Sequence, residues 1–135
     1  MQYQTELKEK FTVIKILDTT LSSNLVPELT QLTDSVLAKS PKNLVLNLEN
    51  VHSWDNKVLD LLAEAQEQFY DNNASFVICC LSDSLNKDLE SSEWGDLMNT
   101  TPTESEAWDI VQMEEIEREL LDSDDMDFSL PETED

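Results

Sequence analysis

Few residues in this chain combine a reactive type with a spacing that chemistry could use. His52 is the only histidine, and it sits beside Ser53. A nucleophile and its base would use those two types, but sequence neighbours seldom aim at one another productively. His52 therefore reads as a loop or partly buried imidazole. Cys79 and Cys80 adjoin within the apolar run Phe76 to Leu81 and could form a redox pair or ligate a metal. On a strand, adjacent side chains point to opposite faces, so the two thiols are expected to diverge and to serve as small buried hydrophobes. One histidine and no CxxC spacing argue against structural zinc. The single glycine, Gly95, excludes the Walker loop and the dinucleotide fingerprint, each of which needs several. Paired carboxylates carry no information in a chain with 30 acidic residues. The expectation is a protein that is not an enzyme, with no catalytic residues, metal site or cofactor.

The charge excludes more. Thirty acids against 8 bases give a net charge of −22, which opposes binding to the phosphate backbone of nucleic acids and to anionic membranes. A basic protein partner is compatible with it, and so is solubility alone. No apolar run approaches the roughly 20 residues of a membrane helix, and the N-terminus lacks the pattern of a signal peptide, so membrane insertion is not expected and a cytoplasmic location is. A length of 135 residues suits one domain. Residues 114–135 hold 11 of the 30 acids against Arg118 alone, and the apolar period is lost from Asp122 onward. The division expected is a folded domain over residues 1–121 and an acidic, disordered tail over 122–135. Met126, Phe128 and Leu130 within it read either as a short docking motif or as part of a solvated tail.

Hydrophobic periodicity gives the elements that must position any site. Gln2 to Leu7 suits an edge strand, and Phe11 to Leu17 is a stronger β-branched and apolar run. Asp18 to Ser23 is polar and supplies caps. Leu25, Leu29, Leu32 and Val36 mark a helix face, with Pro27 tolerated in its first turn. Leu44 to Leu48 reads as a strand, Val51 to Lys57 as a connector, and Val58, Leu61, Leu62, Ala65 and Phe69 as the inner face of a helix ending at Tyr70. Ser75 to Leu81 is the next strand. Ser82 or Asp83 caps a short helix through Leu85 and Leu89, and Trp94 to Met98 allows a short last strand. Thr103 heads a final helix, with Glu106 as its capping-box partner and Ala107, Ile110, Val111, Met113, Ile116 and Leu120 as its apolar positions. The order β-β-α-β-α-β-α-β-α implies an α/β fold with about five strands in a mixed, mostly parallel sheet and about four helices.

The connector between Leu48 and Val58 is the candidate site. A strand-to-helix turn presents side chains and backbone N–H groups at one edge of a sheet, where ligands and partners of open α/β folds commonly meet the protein. Trp54, Asp55, Asn56, Lys57 and, one turn into the helix, Asp60 are the candidate partner-binding residues. Trp54 either anchors an interface or seals the end of the core.

The element order, together with Leu44–Leu48, the Val51–Lys57 connector and the helix after it, resembles a STAS domain, the fold of bacterial anti-sigma factor antagonists. The likeness covers residues 1 to about 121, and the ending Met113-Glu114-Glu115-Ile116-Glu117-Arg118-Glu119-Leu120 looks like that of Bacteroidetes-type members. The resemblance implies a regulatory module that binds a protein partner, an anti-sigma factor that is also a serine kinase. In regulatory members the connector reads Asp-Ser-Ser-Gly-Leu, and the partner phosphorylates its first serine. Here Asp55 keeps the Asp, Asn56 stands at the phosphorylated position, Lys57 at the second serine, Val58 at the glycine and Leu59 at the leucine. Asn56 has no hydroxyl to phosphorylate and lacks the charge to mimic phosphoserine. Val58 fits only where φ is negative, as in a first helical turn. Ser53 is a nearby hydroxyl displaced from the usual site. The resemblance also admits another role, a structural or adaptor subunit of transport-related machinery.

Overall fold

The computed structural model describes residues 1–39 and 42–124, with side chains through residue 121. Strands β1 (Tyr3–Leu7), β2 (Phe11–Ile16), β4 (Asn43–Asn47), β6 (Phe76–Cys79) and β7 (Thr100–Thr101) form a five-stranded sheet in the order β1-β2-β4-β6-β7. The β1–β2 pair is antiparallel and the remaining pairs are parallel. A second, two-stranded parallel sheet joins β3 (Thr20–Leu21) to β5 (Ser53–Trp54). Helices α1 (Val26–Leu37), α2 (Asn56–Asp71), α3 (Asp83–Ser91) and α4 (Glu104–Asp124) complete the described chain.

The alternation of side chains along the central strands sorts the core into two layers. Ile14, Ile16, Leu44, Leu46, Phe76 and Ile78 face α1, α2 and α3, where Leu29, Val36, Leu62, Phe69, Leu85 and Leu89 meet them. Phe11, Val13, Val45, Val77 and Cys79 face the other way and pack against Ala107 and Val111 of α4. All five residues of β4 are buried, which is why Leu44 to Leu48 reads as an apolar strand broken only by Asn47. The expected inner face of α2 is buried in full, with Phe69 stacked on Phe76 at 5.2 Å between ring centres.

α4 is fastened to the sheet by polar contacts as well. Its Thr103 hydroxyl accepts the Glu106 N–H at 3.2 Å and donates to the Glu106 carboxylate at 3.1 Å, a variant of the expected capping box. Further along, the Arg118 guanidinium donates to Asn43 Oδ1 and Ser75 Oγ, both at 3.3 Å, and to Glu115 at 3.0 Å. Ser75 in turn donates to Glu114.

Several expectations are corrected. Trp94 to Met98 is not a strand: its backbone donors are used locally, Leu97 N–H and Met98 N–H both bonding the Trp94 carbonyl, and the edge strand is Thr100–Thr101 instead. Gly95 suits that turn, because a Cβ there would lie 3.0 Å from the Leu89 carbonyl oxygen, a tight contact with backbone. Asp18 to Ser23 is not only a capping segment, since Thr20 and Leu21 form β3. The two thiols do not diverge. β6 ends at Cys79, Cys80 turns to φ 67°, and both side chains lie in the α4-side layer. α2 starts at Asn56 rather than Val58, and Ser82, not Asp83, caps α3 by accepting the Leu85 N–H at 3.3 Å. α4 runs through Asp124. Residues 125–135, including Met126, Phe128 and Leu130, lie outside the described residues.

Candidate functional site

The connector is held from below by backbone pairing. After β4 the chain turns through Val51, whose N–H bonds the Leu48 carbonyl at 3.0 Å. It then runs beside β3: His52 N–H bonds the Thr19 carbonyl at 2.7 Å and Asp55 N–H bonds the Leu21 carbonyl at 3.0 Å. The hydroxyls of Thr20 and Ser53 lie 3.1 Å apart across this small sheet. A two-residue strand is too short to show a period in the sequence, so its pairing was not legible there.

Asp55 occupies the N-cap of α2, with extended backbone at φ −88° and ψ 155°, as its residue type predicts. Its carboxylate does not cap that helix, however. Oδ2 accepts the Ser23 N–H at 2.7 Å, at the head of the short 3₁₀ turn Ser23–Leu25 that leads into α1. One carboxylate therefore ties the α1 entrance to the α2 entrance. Val58 lies in the first turn of α2 and is fully buried, so the condition under which valine can replace glycine there is met.

The five candidate residues do not form one patch. Trp54 is half-buried against the main core, and its Nε1 is buried without a hydrogen-bond partner among the described residues. Its ring seals the core end rather than standing free. Asn56, Lys57 and Asp60 are exposed on α2 and face two different grooves. Asn56 and Asp60 line one of about 510 Å³ between α2 and α3, together with Leu59, Asp88, Ser91, Ser92, Glu93 and Trp94. Three carboxylates and no cation line it, so it carries negative potential. Lys57 and Asp60 line the other, between α1 and α2, with Val26, Thr30 and Glu64 among its walls. Asp60 borders both and accepts the Trp94 indole N–H at 3.0 Å. Ser23, Thr20 and Trp94 were missed in the sequence, because each is brought to the site by a contact at least 30 residues distant in the chain.

The other candidate reactive groups are His52 and Ser53, within the connector itself, and the two thiols, in the α4-side layer. His52 and Ser53 are exposed. Burial raises the Cys79 thiol well above its ordinary range, and the neighbouring Cys80 and the charges of Glu104 and Glu49 push it further, so it stays protonated. Among the described residues no group of three or more His, Cys, Asp or Glu side chains is placed to hold a metal ion. None of the described helices is long and apolar enough to cross a membrane.

A mixed five-stranded sheet with α1 to α3 on one face, α4 on the other and an exposed turn into α2 is the architecture of the STAS fold. The chain belongs to that family: the STAS domain pattern matches residues 3–107. Among solved structures it is similar to an anti-sigma factor antagonist from Mycobacterium paratuberculosis, at 20% identity and a TM-score of 0.72 over 82% of this chain and 93% of that one. It is also similar to the Bacillus cell fate determinant SpoIIAA in its phosphorylated form, at 19% identity and a TM-score of 0.61 over 82% and 99% of the two chains. The murine Solute Carrier 26 family member A9 anion transporter matches at 14% identity and a TM-score of 0.63, over 77% of this chain and 18% of that one. At these identities the likeness speaks for the fold alone. No curated protein sequence matches the chain.

Proposed function

We propose that this STAS protein is a non-enzymatic, cytoplasmic regulatory module that binds a protein partner at the α2 entrance, in the manner of an anti-sigma factor antagonist. The partner class is an anti-sigma factor with serine kinase activity, and the contact residues are Asn56, Lys57 and Asp60, with Trp54 and Asp55 holding them in place. The supporting observation is the geometry of the turn. Asp55 is bonded to Ser23, Val58 is buried, and Asn56 and Lys57 between them, with Asp60 further along α2, are left exposed. A rigid turn with free side chains suits docking, because little entropy is lost when it is recognised.

The regulation differs from that of members with a serine in the turn. Asn56 offers no phosphate acceptor, so binding is constitutive rather than phosphorylation-gated. Ser53, the nearby hydroxyl, stands away from the usual position, in β5 with its hydroxyl 3.1 Å from that of Thr20. The likeness of its ending to Bacteroidetes-type members belongs to the same reading.

Capture from the native host by the full chain tests the proposal. A kinase-fold ATPase is expected on wild-type protein and is lost from the charge-reversing pair Lys57→Glu and Asp60→Lys. A partner retained by that variant, or a stoichiometric phosphate adduct at residues 53–57 after incubation with the captured kinase and ATP, overturns it.

A further inference from the structure

α4 carries two apolar faces, and the sheet covers only one of them. Ala107 and Val111 are fully buried, and Arg118 on the same side is bonded to Asn43 and Ser75. Met113, Ile116 and Leu120 point the other way, at 61%, 54% and 58% exposure. Their spacing of three and four residues places them in one row on a helix surface, about 10 Å long. Isolated exposed apolar residues need no explanation, but an aligned row on a helix that is already anchored by its opposite face does. Asp109, Glu117 and Glu119 are exposed beside the row. The one cation of this helix, Arg118, is engaged on the sheet side.

We propose that this row docks an amphipathic helix of a partner protein, whose apolar residues recur at spacings of three and four and whose flanking positions carry Lys or Arg. Charge complementarity selects this occupant. A second copy of the chain would set Asp109, Glu117 and Glu119 against their own counterparts, between molecules that each carry a net charge of −22. A basic helix meets the same acids favourably and covers the row that water now contacts. The surface lies on the α4 side of the sheet, opposite α1 and α2, so it is separate from the α2 entrance and stands independently of the function proposed there.

The test uses the full chain and a fluorescein-labelled synthetic amphipathic helical peptide with leucines in one row and lysines on both flanks, followed by anisotropy. A control peptide replaces every lysine by glutamate. Saturable binding of the lysine peptide is expected, with none for the glutamate peptide. The triple variant Met113→Gln, Ile116→Gln, Leu120→Gln changes only exposed side chains; with its far-UV circular dichroism unchanged, it should bind the lysine peptide about tenfold or more weakly. Equal binding by wild type and variant overturns the proposal, because the attraction is then that of total charge. Absence of saturable binding overturns it directly. So does a wild-type dimer that the triple variant converts to monomer, which would assign the row to a second copy.

Discussion

Removing the Asp55 carboxylate separates its two possible roles at the α2 entrance. The bond from Ser23 N–H to Asp55 Oδ2 is short, 2.7 Å, and charge-assisted, but it is exposed, so water replaces the lost partner at modest cost. Exposure brings the value below the roughly 1.5–3 kcal/mol of bonds to charged groups, and Asp55→Ala should destabilise the fold by ~1 kcal/mol, or roughly 3–5 °C in Tm for a domain of this size. Asp55→Asn keeps an acceptor at the same reach and should lose less than half of that. Asp55→Ser is the informative variant: serine is an equally good N-cap for α2 but is too short to reach Ser23. It should recover part of the stability while leaving the Ser23 amide unprotected. Urea unfolding followed by far-UV circular dichroism reads the first quantity, and hydrogen exchange at Ser23 reads the second. If Asp55→Ala leaves both unchanged, the carboxylate does not tie the two helix entrances together, and the rigid-turn argument fails with it.

Asn56→Ser should create a phosphate acceptor in an otherwise unaltered turn, giving an intact-mass adduct with the captured kinase and ATP that wild type does not show. Phe69→Ala, removing a fully buried ring stacked on Phe76, should cost about 3–5 kcal/mol by urea unfolding, whereas Tyr70→Ala, at 79% exposure, should stay within about 0.5 kcal/mol. Because the folded-state pKa of Cys79 is raised, its contribution is fully present below the unfolded value of 9.0 and is lost as pH rises beyond it. The stability of wild type should therefore fall more steeply above pH 9.0 than that of Cys79→Ala, by up to about 1.4 kcal/mol per pH unit. Arg118→Lys should lose most of the stability that Arg118→Ala loses, because one ammonium cannot serve Asn43, Ser75 and Glu115 in the planar arrangement the guanidinium reaches.

What the sequence revealed of the fold follows the length and burial of its elements. α2 and β4 were legible because each buries a long, regular set of side chains, at period 3.6 for the helix and on both faces for the strand. β3, β5 and β7 are two residues each and are held by backbone bonds to distant segments, which leave no periodic trace. Trp94 to Met98 misled because aromatic and apolar residues favour strands, yet Gly95 packs against the Leu89 carbonyl and the indole of Trp94 is drawn to Asp60. The thiols misled because alternation holds only while the strand continues, and it stops at Cys79. Of the site, the position of the turn was legible and its internal wiring was not. A residue's preference for an N-cap position says nothing of which neighbouring amide its side chain will choose.

That wiring explains why the turn tolerates Asn56. Its shape depends on Asp55 N–H bonding Leu21, on the Asp55 carboxylate bonding Ser23, and on Val58 entering the core, none of which involves the side chain at position 56. The side chain at 56 is exposed on the first residue of α2 and is therefore free to vary without unfolding the connector. A serine there adds a hydroxyl to a finished scaffold; an asparagine withholds it from the same scaffold. The fold of the turn is thus separable from the residue type at position 56, and exchanging asparagine for serine there would change the chemistry of the exposed side chain while leaving the backbone of the turn in place.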